Sequence, residues 1–219
     1  MKIAMMIACA LGLISPLSPS PSTLGEGRGE GSLSSTSPLE AQYVEVRTAS
    51  VFAGPCHVNG ELMTTGNDAM MAWKFDNGVR VIAAVSCDQN LLHQEAARKS
   101  EILIDSPTKA AGDAALHTIL SHESATLGKV VAIRHGSIDF RHENDEFQIE
   151  SASFGSMDVQ GLPDHDCCKQ PNDVWYQPLV HLTGRMVGYT VNAQYSSGRA
   201  GETWQREDEN GAFYGVVKY

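Results

Sequence analysis

Residues 69–85 read AMMAWKFDNGVRVIAAV, and this stretch contains a clear hairpin signal. Its centre, Asp76-Asn77-Gly78, is a favoured hairpin turn because Asn-Gly accepts the positive φ angles that tight hairpins need. The residues after the turn, 79–85, are apolar almost throughout, which is typical of a strand covered on both faces. The stretch therefore predicts a β-hairpin whose second strand lies in the middle of a sheet.

Further strands are predicted on both sides of this hairpin, where β-branched and aromatic residues are frequent or alternate with polar ones. They fall near residues 43–52, 101–105, 129–134, 137–142, 147–150, 187–195 and 212–219.

One clear helix is expected between these strands. Ser106 can cap it with Pro107 at the first helical position, a favoured start. Leu116, Ile119 and Leu120 then share one face, and the helix should end before Leu127. The prediction is an α+β fold: a mostly antiparallel sheet or partly closed barrel with one main helix packed on it.

The N-terminal 41 residues differ from the rest of the chain. Lys2 precedes an uncharged apolar run at 3–14, which is typical of a secretory signal and too short for a membrane span. Residues 15–40 are rich in Ser, Pro and Gly and are predicted to be a disordered leader. We therefore expect residues 42–219 to form a single globular domain, soluble and exported to the periplasm or the cell exterior, with no transmembrane segment after signal removal.

The charge narrows the class of partner. The chain carries 16 Lys and Arg against 26 Asp and Glu, a net charge of -10, and no basic cluster is visible. Such a chain repels phosphate backbones, which argues against nucleic acid as a partner. No serine-nucleophile elbow, Walker loop or dinucleotide fingerprint occurs. A metal ion or a small ligand is the expected partner, and a non-enzymatic role is favoured.

The cysteines are the candidate functional residues. Residues 54–61 read GPCHVNGE, and residues 164–171 read DHDCCKQP. Cys167 and Cys168 are adjacent, so their Cα atoms are about 3.8 Å apart, below the usual disulfide range of about 4.4–6.8 Å. A bridge between these two would be strained. A long-range bridge from Cys56 to one of them is easier, and an even count of four cysteines after residue 41 is typical of exported disulfide proteins.

A soft metal is the alternative use of these thiols. Cys56, Cys167 and Cys168 offer three sulfurs and His57 an imidazole, a donor set that suits copper or zinc. A redox-active thiol is the third possibility, although no Cys-x-x-Cys motif supports it. Cys87 follows the apolar strand and is expected to be a buried free thiol. Trp175 and Tyr176 could wall a pocket, but the core is the favoured position for both.

Three stretches carry a resemblance to a known family. GPCHVNGE at 54–61, CCKQPNDVWYQPL at 167–179 and AFYG at 212–215 resemble an exported bacterial family known as domain of unknown function 1326. The resemblance implies an exported globular domain and no established activity. Family members have serine where this chain has Cys87, which leaves three thiols, an odd number that a metal site would use completely.

The sequence thus favours metal handling or sensing, with copper preferred over zinc and with Cys56, His57, Cys167 and Cys168 as ligands. A non-catalytic binding module with a structural disulfide and a thiol oxidoreductase stay open as alternatives.

Overall fold

In the structure, a computed structural model, the described residues are 39–51, 66–93, 95–162 and 174–219. All of them belong to one unit, Thr36–Tyr219. The strands of this part of the chain are β1 (Glu40–Arg47), β2 (Asp68–Phe75), β3 (Arg80–Cys87), β4 (Arg98–Asp105), β5 (Lys129–His135), β6 (Asp139–Glu143), β7 (Glu146–Ser151), β8 (Gly155–Gly161), β9 (Thr183–Tyr195) and β10 (Trp204–Lys218). Its helices are α1 (Lys109–His122) and α2 (Ser124–Leu127).

The strands form one ten-stranded sheet in the order β5-β4-β3-β2-β1-β10-β9-β8-β7-β6. Neighbouring strands are antiparallel except β4 and β5, which are parallel. A parallel pair needs a crossover connection, and both helices lie in that connection. The helices are therefore confined to one region near the β4–β5 edge.

The sheet is strongly curled. Its two edge strands, β5 and β6, are consecutive in the chain and are separated only by residues 136–138. Such a link spans at most about 14 Å between the flanking Cα atoms. The end of one edge therefore lies close to the start of the other, which a flat ten-stranded sheet could not achieve.

Both faces of the central strands are buried. On one face, Trp73, Ile102 and other apolar side chains pack with Ala115 and Ile119 of α1. On the opposite face, Met70 and Ile82 pack in one cluster with side chains from the curled-over β6–β8 region, namely Phe140, Phe147, Ile149, Met157 and Val159. The near-continuous apolar character of β3 follows from this double coverage.

The predicted hairpin is present. β2 and β3 pair in antiparallel register, and the N–H of Gly78 donates to the carbonyl O of Phe75 at 3.0 Å. Gly78 has a φ of 83°, a left-handed value that glycine adopts without a Cβ clash. β3 is interior, between β2 and β4.

The predicted α+β class is wrong: the described structure is mostly β, with helices of only 14 and 4 residues. The sheet's own curled strands cover one face, and α1 contributes only Gly112, Ala115 and Ile119 as buried residues to the other. The sequence reading also missed β8, and β9 and β10 are 13 and 15 residues long. Glycine at three of the β8–β9 register positions weakens the local strand pattern there.

The helix begins two residues later than expected. Thr108, not Ser106, is the N-cap, since its side chain accepts a hydrogen bond from the N–H of Ala111. Gly112, Ala115 and Ile119 are the buried positions of α1. No helix among the described residues has both the length and the apolar character needed to cross a membrane.

Candidate functional site

The four predicted ligands lie outside the described residues. Cys56 and His57 fall within residues 52–65, and Cys167 and Cys168 fall within residues 163–173. The described flanks of these two segments nevertheless meet. The backbone N–H of Trp175 donates to the carbonyl O of Val51 at 2.8 Å. The start of one cysteine segment and the end of the other are thus joined by a hydrogen bond.

The far end of the first segment lies at the same place. The N–H of Gly66 donates to the carbonyl O of Thr48 at 3.0 Å, and Thr48 and Asp68 exchange further hydrogen bonds. Gly66 has a φ of 64°, and a Cβ there would lie 2.5 Å from the Asn90 side chain. Three of the four flanks of the cysteine segments are therefore held beside the end of β1.

A buried charge network holds the chain next to Trp175, the flank that follows the second cysteine segment. Glu45 is completely buried, and its carboxylate accepts hydrogen bonds from Arg47 Nε at 2.9 Å and from the Tyr43 hydroxyl at 2.7 Å. The same carboxylate accepts from the backbone N–H of Leu179 at 2.8 Å. Arg47 in turn donates to the carbonyl O of Gln177. One ion pair on β1 therefore fixes the backbone at 177–179.

The two aromatic residues of this segment have different environments. Tyr176 is buried, with the Arg47 guanidinium 5.5 Å from its ring centroid and with its hydroxyl accepting a hydrogen bond from Asn90. Trp175 is 53% exposed. Tyr176 therefore lies in the core, and Trp175 is exposed enough to wall a pocket.

A groove of about 410 Å³ lies against this segment. Its walls come from the end of β1, the turn before β4, helix α2 and residues 175–179. The lining side chains include Arg47, Leu92, Arg98, Thr126, Trp175 and Leu179. This volume is within the range of sites for small organic molecules.

Arg98 supplies an unmatched positive charge to this groove. Its Nη2 donates to the carbonyl O of Leu91 at 2.7 Å, and its Nη1 makes a long contact of 3.4 Å with the carbonyl O of Thr126. Its Nε is buried without a hydrogen-bond partner. Burial lowers the pKa of Arg98; the nearby Cys87 opposes this effect and the positive charge of Arg47 adds to it.

Glu123, between α1 and α2, is an acid near the Glu45 network whose pKa is shifted. Burial raises the pKa of Glu123 to about 7, and the negative charge of Glu45 adds to the increase. Burial also raises the pKa of Tyr43, followed by the effect of Glu45. Glu45 and Glu123 are therefore close enough for their negative charges to repel each other.

Cys87 is confirmed as a buried free thiol. Its Sγ lies 3.8 Å from Asp88 Oδ1, and its side chain belongs to the apolar cluster under the helices. Within the described part of the chain, no group of three or more His, Cys, Asp or Glu side chains is placed to hold a metal ion.

Sequence reasoning missed Glu45, Arg47, Arg98 and Glu123. Residues 43–47 read YVEVR, an alternation that normally places charges in solvent. Glu45 and Arg47 are buried because other parts of the chain cover that face of β1, and nothing local in the sequence indicates this coverage.

The chain matches no protein-family profile, no curated protein and no solved structure.

Proposed function

We propose that this chain is an exported protein that binds a soft transition metal, copper in preference to zinc, through Cys56, His57, Cys167 and Cys168. The role is metal handling or sensing. The observation that carries the proposal is the hydrogen bond from the Trp175 N–H to the Val51 carbonyl, which joins the described flanks of the two cysteine segments.

Chain length allows the proposed ligands to meet. Cys56 is five residues from Val51, and Cys168 is seven residues from Trp175. At about 3.5 Å per residue, each thiol can lie anywhere within about 18–25 Å of the shared hydrogen bond. Both segments can therefore reach a common point, which is the first requirement of a shared site.

The residues that follow the second cysteine segment are firmly held. Glu45 and Arg47 bind the backbone at 177–179, and both side chains are almost completely buried. Metal sites need ligands supported by a fixed surrounding structure. The ion pair on β1 supplies such support on the Trp175 side.

The thiol count favours a metal over a disulfide. Cys87 is free and packed in the core, so three cysteines remain in the two segments. One bridge would leave one of these three thiols unpaired, whereas a site with three sulfurs and the His57 imidazole uses all of them. Thiolates and imidazole are the ligands that Cu(I) and Zn(II) prefer.

Export rests on the N-terminal sequence, with Lys2 followed by the apolar run at 3–14. The resemblance to the exported bacterial family supports the same location.

The test is a metal titration of the complete chain with Cys9 changed to Ser, so that the leader thiol does not contribute. Under anaerobic conditions, with a competing chelator, we expect one Cu(I) per chain. Cu(I) binding should be weakened in each of three variants, Cys56→Ser, Cys167→Ser and Cys168→Ser. Loss of a residue that only supports a ligand typically weakens metal binding by about 10- to 100-fold, and the loss here should be larger. Cys87→Ala is the matched control and should leave the affinity unchanged.

The thiol count of the denatured chain separates the alternatives. The Cys9→Ser chain contains four cysteines, so a metal site without a disulfide predicts four reactive thiols, and one structural disulfide predicts two. Two thiols together with no bound metal would replace the metal site by the disulfide-linked binding module. Rapid reduction of insulin, lost in Cys168→Ser, would instead favour a thiol oxidoreductase.

A further inference from the structure

The groove beside residues 175–179 has an unequal distribution of charge. Arg47 is 3% exposed and is neutralised by Glu45 at 2.9 Å. Arg98 forms no ion pair with any carboxylate among the described residues, and its two hydrogen-bond acceptors are neutral carbonyl groups. In a chain of net charge -10, this groove therefore has an uncompensated cation at its wall.

The Arg98 guanidinium has unused donor capacity. A guanidinium carries five N–H groups arranged as a planar fork. The described contacts use one donor at 2.7 Å and a second in a long contact, and the buried Nε–H has no acceptor. One N–H on each of Nη1 and Nη2 has no described acceptor, and an acceptor brought by a ligand can bind these two groups.

The other walls of the groove are largely apolar. Leu92 is 60% exposed and Trp175 is 53% exposed, and these are two of five large apolar side chains that stand out into solvent among the described residues. Both line this groove, together with Leu91 and Leu179. An exposed indole offers a flat surface on which an aromatic or planar apolar group can pack.

We propose that this groove binds a small organic carboxylate with a flat apolar body, its carboxylate on Arg98 and its body against Trp175 and Leu92. A carboxylate matches the guanidinium fork in shape and carries the single negative charge that one unmatched arginine can balance. A phosphate dianion would require more positive charge than the groove provides. The site uses none of the predicted metal ligands and does not depend on metal binding.

Isothermal titration calorimetry of the complete chain with phenylacetate tests the proposal. EDTA is included so that no metal-bound carboxylate contributes to the signal. We expect one phenylacetate per chain with a Kd below about 1 mM. The neutral analogue phenylacetamide, which keeps the ring and loses the charge, should bind at least about tenfold more weakly.

Two variants examine the two halves of the site. Arg98→Gln should weaken phenylacetate binding by about 10- to 100-fold, because it removes a charge-assisted hydrogen bond. Arg141→Gln, on the exposed surface of β6, is the matched control and should bind as the parent does. Trp175→Ala removes a half-exposed side chain, so it tests the apolar half even if Arg98→Gln fails to fold, and it should weaken binding by about fivefold or more.

Equal binding of phenylacetate and phenylacetamide would overturn the proposal, as would the lack of any binding. Unchanged affinity in both Arg98→Gln and Trp175→Ala would assign the ligand to another surface and would equally refute this site.

Discussion

Two completely buried glutamates, one on each face of the sheet, have different structural roles. Glu45 on β1 lies on the helix face, where Arg47, Tyr43 and Leu179 donate to it. Glu101 on β4 lies on the opposite face and accepts from Arg134 Nε at 2.8 Å, the Tyr195 hydroxyl at 2.8 Å and Ser197 Oγ at 2.9 Å. Both carboxylates have an arginine partner and a tyrosine donor.

The difference lies in what each network joins. Glu101 connects β4 to Tyr195 at the end of β9, five places away in the strand order, so its network reaches across the curled sheet. Arg134 extends it to the carbonyl O of Ser153 in the β7–β8 turn. Glu45 connects β1 to a segment outside the sheet. One carboxylate therefore holds the curl closed, and the other positions a groove wall and a flank of a cysteine segment.

The largest effect is expected from Glu101→Ala. Removing this carboxylate leaves Arg134 and Tyr195 without their shared acceptor in the sheet interior. We expect the free energy of unfolding to fall by about 3–5 kcal/mol, as measured by urea denaturation. Glu146→Ala, at an exposed position of β7, is the control and should change it by less than about 0.5 kcal/mol. A loss of similar size in the control would show that Glu101 has no special role in closing the sheet.

Glu45→Gln should destabilise the fold less than Glu101→Ala does, and it should change phenylacetate binding. The amide can still accept one hydrogen bond, so the loss in unfolding free energy should be about 2 kcal/mol. Because Arg47 lines the groove and then loses its neutralising partner, the groove gains positive charge, and we expect phenylacetate affinity to rise several-fold. Glu101→Gln should leave that affinity unchanged. If the two variants alter binding equally, the division of roles between the two glutamates is wrong.

The smallest expected effect is a pH dependence of stability that arises from Glu123, near Glu45. The pKa of Glu123 is about 7 in the folded chain, against a usual value of 4.5, so the folded chain holds this proton more tightly than the unfolded chain does. The unfolding free energy should therefore fall as pH rises from about 4.5 to 7, and then level off with respect to this group.

Glu123→Gln should remove that dependence and stabilise the chain at pH 8 by about 1 kcal/mol, a figure reduced for the partial exposure of the carboxyl. The measurement is Tm against pH for both chains. Thr108→Ala, which removes the α1 N-cap bond, serves as control, since it should lower Tm at every pH without changing the slope. A parent Tm that is flat from pH 4.5 to 7 would contradict the assignment.

Some of the fold could be predicted from local sequence. The turn at Asp76-Asn77-Gly78, the interior position of β3 and the strand character of β4, β5 and β7 depend on residue type and on alternation within a few positions, and all are present. The α+β class failed because helix α1 has a regular apolar pattern that gives no information on how much of the sheet it covers. Its buried contribution is only Gly112, Ala115 and Ile119.

The candidate site divides in the same way. The sequence identified the cysteines and Cys87 as a buried free thiol, because these depend on residue chemistry. It favoured a core position for Trp175, which is 53% exposed. It gave no indication of Arg98, which begins β4 with a charge typical of a solvated strand end. Folding alone leaves Arg98 without a carboxylate partner among the described residues and places Trp175 on the wall of the same groove.

Local sequence is enough to predict the hairpin, the predominance of strands and the chemistry of the thiols, since each follows from neighbouring residues. The tertiary structure alone decided that β5 and β6 approach, that Glu45 and Glu101 are buried, and that Val51 meets Trp175. Two of these contacts join residues far apart in the sequence: Glu101 and Tyr195 are 94 positions apart, and Val51 and Trp175 are 124 positions apart. Such contacts depend on the curl of the whole sheet, which no short stretch of the chain encodes.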